Sequence, residues 1–280
     1  MRIDLHTHSR VSDGTDAPAL LMRDAAVAGL DVVALTDHDT TAGWAEAAAE
    51  VPATGVALVR GTEISARAGR MSVHLLSYLH DPEDEVLAGE LQASRGSRDS
   101  RARDMVTLLA GDFDLTWADV QAQAQHGTTI GRPHIADALV AKGYLADRSA
   151  AFDQVLSPAG PYYVRYHAPD AVAAVALVRA AGGVPVFAHP RAVLRGRVVG
   201  DDVIRELAEA GLAGLEVHHR DHAPAAVAEL LALADELGLF VTGSSDYHGA
   251  GKPNRLGENT TTADVLARIE EQGRLAVIRP

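Results

Sequence analysis

Asp4-Leu5-His6-Thr7-His8 stands at the start of the chain and decides how the rest is read. Side chains alternate along a strand, so residues two apart point the same way. His6 and His8 therefore aim two imidazoles at one point, with Asp4 on the same face below them. Two convergent imidazoles make half of a metal site, and other segments must supply the rest.

Outward from that stretch, strand-like and helix-like runs alternate, which predicts a parallel α/β fold. Strands are expected at 3–6, 31–36, 56–65, 71–79, 183–188, 212–217 and 239–243, with helices at 17–29, 43–50 and 171–182. Asp16 is the expected N-cap of the first helix. The rhythm breaks between 83 and 161, where charged helical sequence replaces buried strands. The reading is a barrel built from 1–82 and 162–280, with 83–161 inserted as a helical cap. About seven strands imply a barrel short of the usual eight.

Polar residues recur just past the apolar strands, the rim where parallel barrels build their sites. The candidate ligands are His6, His8, Asp13, His38, Glu63, His74, His189, Asp246 and His248. A single strand-end histidine is more often an ordinary core or surface residue; the joint pattern carries the reading. Nine ligands exceed one ion and suit two or three, with Glu63 or a water bridging. Imidazole mixed with carboxylate suits Mn, Fe or Zn, with Mg a further option. Such clusters polarise a phosphoryl oxygen and generate a hydroxide for in-line attack.

Composition narrows the function. A net charge of −13 argues against broad binding to nucleic acid or membranes and suits a chain that holds cations. With no cysteine, disulfides, thiolate metal sites and a cysteine nucleophile are excluded, and a reducing cytoplasm is the expected setting. Neither a signal peptide nor a run of membrane-spanning length is read in the sequence.

Asp4-Leu5-His6-Thr7-His8-Ser9, Thr36-Asp37-His38-Asp39, Gly61-Thr62-Glu63-Ile64-Ser65, Ala188-His189-Pro190 and Ser245-Asp246-Tyr247-His248 resemble the signature of the PHP (polymerase and histidinol phosphatase) superfamily. The resemblance implies a distorted (β/α)7, TIM-like barrel with a trinuclear metal site. It implies that His6, His8, Glu63 and Asp246 hold one ion. Glu63, His74 and His189 would hold a second, and Asp13, His38 and His248 a third. Some members have His where Asp13 stands. Gly131-Arg132-Pro133-His134-Ile135-Ala136 and 138–144 resemble a subgroup with 3′,5′-nucleoside bisphosphate phosphatases and 5′→3′ exoribonucleases. That implies a small phosphorylated substrate, a nucleotide or short oligonucleotide rather than long duplex. The alternatives are a histidinol-phosphate-type monoesterase and a metal-bound module that binds nucleotides without turnover.

A second phosphate would need its own cations, and arginine suits it through paired hydrogen bonds. Arg132 and Arg191 are the candidates; an acid partner is the alternative for each. Arg95, Arg98, Arg101 and Arg103 form a basic stretch that reads as a solvated helix face. His134 and His218 are the candidates for protonating the leaving oxygen, against the alternative of a polar loop around 218–222. Asp112-Phe113-Asp114-Leu115-Thr116 looks like an aspartyl-phosphate motif but follows a helix rather than a buried strand. Gly249-Ala250-Gly251-Lys252 lacks the spacing of a phosphate-binding loop.

Overall fold

The structure, a computed structural model, describes residues 1–124, 128–157, 159–193 and 196–280. Seven strands lie side by side in chain order: β1 (Ile3–Asp4), β2 (Val32–Leu35), β3 (Ala57–Ala68), β4 (Met71–Tyr78), β5 (Val184–Phe187), β6 (Gly214–His218) and β7 (Phe240–Gly243). The two ends of the sheet approach each other. The amide of His8 donates to the Tyr247 carbonyl at 2.8 Å, and Thr7 pairs with Tyr247. The result is a nearly closed barrel.

The sheet is mixed rather than parallel. β4 runs antiparallel to both β3 and β5, because the turn at 69–70 folds β3 straight back into a hairpin. This reversal moves one ligand candidate. His74 lies near the start of β4, not past its end, yet it pairs with Ser65 at the mouth to which Glu63 belongs. In a reversed strand the first residues reach the rim that the parallel strands reach with their last.

β2 shows why an unbroken apolar run marks a strand covered on both faces. Val32 and Ala34 join the cluster that includes Ile3, Phe240 and Ile269. Val33 and Leu35 face the opposite way, into the cluster under α1 (Pro18–Val27) and α2 (Trp44–Thr54). Asp16 does not cap α1. The N-cap is Ala17, with no side-chain hydrogen bond, and Pro18 suits the first turn because its missing N–H would be unpaired there anyway. Asp16 instead accepts from the Tyr247 hydroxyl at 2.7 Å.

Between β4 and β5 come α3 (Glu85–Leu109), α4 (Trp117–Gln121), α5 (Arg132–Ala141) and α6 (Arg148–Gln154). Met105, Leu109, Ile135, Leu139 and Leu156 form a core among them. α3 serves two cores, because Leu87 and Leu91 in its first turns pack into the barrel cluster instead. The 112–116 segment is structural. Thr116 and Asp119 exchange hydrogen bonds as a capping box that starts α4. α7 (Ala171–Ala180) leads into β5, and α8 (Asp201–Glu209), α9 (Pro224–Leu237) and α10 (Ala263–Gln272) follow it. Among the described residues no helix is long and apolar enough to cross a membrane.

Candidate metal centre

All nine candidate ligands converge at one mouth of the barrel. Glu63 stands at the middle and is almost wholly buried. Its Oε2 lies 3.0 Å from His8 Nε2, 3.2 Å from His6 Nε2 and 3.2 Å from His38 Nδ1. Its Oε1 lies 2.7 Å from His74 Nδ1 and 3.1 Å from His189 Nε2. One carboxylate therefore divides five imidazoles into two sets. Asp246 Oδ1 sits 3.4 Å from both His6 Nε2 and His8 Nε2. Asp13 sits beyond, with Oδ1 at 3.2 Å from His248 Nε2 and Oδ2 at 3.8 Å from His38 Nε2.

Three overlapping groups have the compactness of an ion's ligand shell: His6, His8, Glu63 and Asp246; His8, Asp13, His38 and His248; and His38, Glu63 and His74. The first coincides with the set implied by the superfamily resemblance. In the third, His38 stands where the resemblance implies His189, and His189 lies alongside at Glu63 Oε1.

Two observations show that these residues suit divalent ions. The Nε2 atoms of His6 and His8 lie 3.0 Å apart, and each is within 3.4 Å of a Glu63 and an Asp246 oxygen, the close convergence of donors that one ion needs. Moreover, among the described residues buried His38 Nδ1 and His248 Nε2 find no hydrogen-bond partner, although each lies 3.2 Å from a carboxylate oxygen. Buried polar atoms are normally paired, so these point to another partner. Burial would push the Glu63 and Asp13 carboxyls up, but the surrounding imidazoles hold both well below the usual range. Burial likewise opposes a charged His8, but Asp246 and Glu63 push it up to about 9. Burial, with Lys252 and His8 beside it, pushes His248 down to about 4.

The backbone is held in an unusual conformation here. Among the described non-glycine residues, left-handed φ values occur at Asp39 (54°), Leu79 (55°), His189 (33°) and Asp246 (52°). Three of these four belong to the mouth. Strain of this kind persists where surrounding bonds over-determine it. Asp39 shows how. Its carboxylate accepts from the Ser65 amide at 2.7 Å and hydroxyl at 2.8 Å, and it pairs with Arg98 at 3.1 Å.

A second layer orients the ligands, and the sequence signalled little of it. Glu216 is wholly buried and braces two ligands from one carboxylate. Oε1 meets His6 Nδ1 at 2.9 Å, and Oε2 accepts the His189 amide at 2.8 Å. Burial alone would raise the Glu216 carboxyl, but His6 lowers it to about 2. Asp37 accepts from Ser9 and Ser12 at 2.6 Å each, and Ser12 reaches toward His8 Nδ1. Asp4 is not among the ligands; it accepts the amides of Ser245 at 3.0 Å and Gly257 at 2.8 Å, tying β1 to the loops after β7. Replacing Glu216 with glutamine is expected to weaken metal binding about 10- to 100-fold, since such outer partners fix ring orientation and ligand basicity. Titration of the purified variant with Mn²⁺ checks this; unchanged affinity would count against the bracing role.

The remaining candidates fare differently. His134 is buried on α5, and its Nδ1 accepts the Gly131 amide at 3.1 Å, which leaves the proton on Nε2. Burial lowers its pKa, while the nearby Asp13 charge acts the other way. His218 stays outside the cluster. β6 contains a bulge between Glu216 and His218 that opposes an extra residue to β7. The bulge advances the alternation by one, so that His219 rather than His218 follows Glu216 inward. His219 is buried with Nε2 at 3.7 Å from Asp246, whereas His218 is exposed. Lys252, from the stretch set aside as no phosphate loop, places Nζ 3.0 Å from Asp246 Oδ2.

Arg191 is turned away. Its guanidinium bonds the Val199 carbonyl and Asp201, which commits it to holding the start of α8. Arg132 is half-buried against aromatic rings. It bonds the Leu156 carbonyl at 3.2 Å and lies 5.2 Å over Phe152 and 5.8 Å over Tyr163. It is not alone, because two arginines of the supposed solvated helix face turn inward. Arg101 is buried over Tyr166 at 4.2 Å, its Nε without a hydrogen bond among the described residues. Burial, then the Arg132 charge, lowers it to about 10. Arg98 bonds Ser65 and Asp39 and so joins this group to the metal centre. Their hidden orientation comes from α3 lying across the mouth, which no single-helix pattern announces.

Comparison with known proteins agrees with this geometry. The PHP domain family matches residues 4–112. The chain is 34% identical to the 3′,5′-nucleoside bisphosphate phosphatase of Chromobacterium violaceum, across 99% of this chain and 98% of that protein. It is 33% identical to a phosphoribosyl 1,2-cyclic phosphate 1,2-diphosphodiesterase of Eggerthella lenta, across 88% and 94%. It is 29% identical to a 5′-3′ exoribonuclease of Haemophilus influenzae, across 97% and 98%. A crystal structure from Bifidobacterium adolescentis superposes with a TM-score of 0.94 at 44% identity, across 97% and 96%. The activity given to that protein, metal-dependent phosphoesterase, is itself an inference.

Proposed function

Because this chain belongs to the PHP domain family and is a metal-dependent hydrolase of phosphoester bonds, we propose that it acts on substrates carrying two phosphates. The substrates are nucleoside 3′,5′-bisphosphates, which would lose the 3′-phosphate, and short oligonucleotides. The observation that carries this reading is the cluster of Arg98, Arg101 and Arg132 beside the metal centre, with Arg101 buried and the other two half-buried. Among the described residues, no carboxylate pairs with Arg101 or Arg132. Buried charges are costly unless paired, so an anion from outside is their natural partner. A monophosphate seated at the metal centre would leave them without one.

Two or three ions, held by the nine converging side chains, would supply charge neutralisation and a water of lowered pKa. The chain's own residues do the rest. Glu63 fixes the spacing between the ligand sets, and Glu216 fixes His6 and His189. Arg101 and Arg132 grip the second phosphate and set which ester reaches the mouth. Lys252 stands where its ammonium can donate to an oxygen of the bound ester. His134 holds a proton at Nε2 on the cap side, in reach of a leaving oxygen once substrate closes the gap.

A turnover screen tests the reading. The Mn-loaded protein is given adenosine 3′,5′-bisphosphate, a 5′-phosphorylated trinucleotide, AMP and p-nitrophenyl phosphate. The two substrates with a second phosphate are expected to exceed the others in kcat/KM by about 100-fold, the worth of one or two charge-assisted hydrogen bonds. Equal rates across the panel would favour a simple monoesterase instead.

A further inference from the structure

The ligands differ in what holds them. Most are fixed by strand ends, but Asp13 lies on the 9–16 loop, and His248 leads into the short turn Gly249–Gly251. These two loops meet at the subsite of His8, Asp13, His38 and His248. A residue from the helical segment joins them. Arg148, the first residue of α6, donates from Nη1 to the Asp13 carbonyl at 3.1 Å. The same atom is pressed beneath the turn, where a Cβ built on Gly251 would lie only 2.2 Å from it. Asp137 on α5 fixes the guanidinium through two bonds of 2.6 Å. Thr128 adds a bond to the Arg10 carbonyl at 3.0 Å on the same loop.

We propose that Arg148, held by Asp137, is a positioning residue that makes occupancy of the His8–Asp13–His38–His248 subsite depend on docking of the helical segment onto the barrel. This rests on the metal-centre reading above. The Arg148 side chain is too far committed to backbone and to Asp137 to contact substrate; it acts through Asp13. The bidentate fork matters, because one planar group must meet a carboxylate and a carbonyl together. Among the described residues the subsite of His6, His8, Glu63 and Asp246 has no such contact, since the segment just past β1, strand β3 and the loop after β7 carry its donors.

The test counts ions. Wild type, Arg148→Met, Arg148→Lys and Gly251→Ala are dialysed against fixed free Mn²⁺, and bound metal per chain is measured by elemental analysis. Both Arg148 variants should release one ion at free Mn²⁺ about 10- to 100-fold higher than wild type does, with the others unmoved. Gly251→Ala presses on the guanidinium from the turn side and should weaken the same ion while leaving α5 and α6 untouched. It therefore reports even if the Arg148 variants fold poorly. Melting of the metal-free proteins should change little, which separates the proposal from a general packing role. Identical binding curves for wild type and Gly251→Ala, together with an unchanged curve for Arg148→Lys, would overturn the proposal and leave the metal centre standing. A wild-type chain that binds no Mn²⁺ would overturn both.

Discussion

Replacing Glu63 with alanine is expected to lower kcat by on the order of 10³-fold or more while the chain stays folded. The argument is geometric. Oε2 faces His6, His8 and His38, and Oε1 faces His74 and His189, so one truncation removes a donor from two of the three ligand groups. The Glu63 carboxylate lies among the ligand imidazoles, so its loss is felt at the mouth rather than in the apolar core. What holds the segment is its backbone, with the Glu63 amide donating to Thr36 at 3.0 Å and its carbonyl accepting from Asp39 at 3.0 Å. Circular dichroism should show a native spectrum, and phosphate release with added Mn²⁺ should be near background. Glu63→Gln should be nearly as inactive, because the bridging role needs the charge as well as the shape. Near wild-type turnover in either variant would remove the central claim about the site.

The second large effect is one of discrimination. Arg101→Ala should raise KM for a bisphosphate about 10- to 100-fold, corresponding to one lost charge-assisted hydrogen bond of about 2 kcal/mol in a buried setting. It should leave KM for a monophosphate nearly unchanged. Arg132→Ala should behave alike. Arg191→Ala serves as the contrast, since its guanidinium is spent on Asp201 and the Val199 carbonyl. It should affect both substrates equally and mainly through stability near α8. Steady-state kinetics on adenosine 3′,5′-bisphosphate and AMP separate these outcomes. Equal losses on both substrates for Arg101→Ala would refute the second-phosphate role while leaving the hydrolase intact.

Chain-local physics determined much of this protein. The i, i+2 pair His6 and His8, the apolar run 32–35 and the recurrence of acids and histidines after strands are properties of neighbouring residues. Alternation along a strand turns such spacing directly into direction. Those signals were enough to single out nine residues that meet at one mouth, eight in compact ligand groups and His189 beside Glu63, and to anticipate a barrel of about seven strands. Tertiary structure alone decided the rest, because it depends on residues far apart in sequence. A hairpin reversed β4 and so carried His74 to the mouth from the beginning of its strand. A bulge shifted β6 by one residue and exchanged His218 for His219. The packing of α3 turned Arg98 and Arg101 from an apparent solvent face inward over Tyr166, with Arg101 buried and Arg98 half-buried. Arg191 met an acid ten residues further on and left the site. Spacing within one element fixes where a side chain points relative to its neighbours; only the packing of elements fixes what it points at.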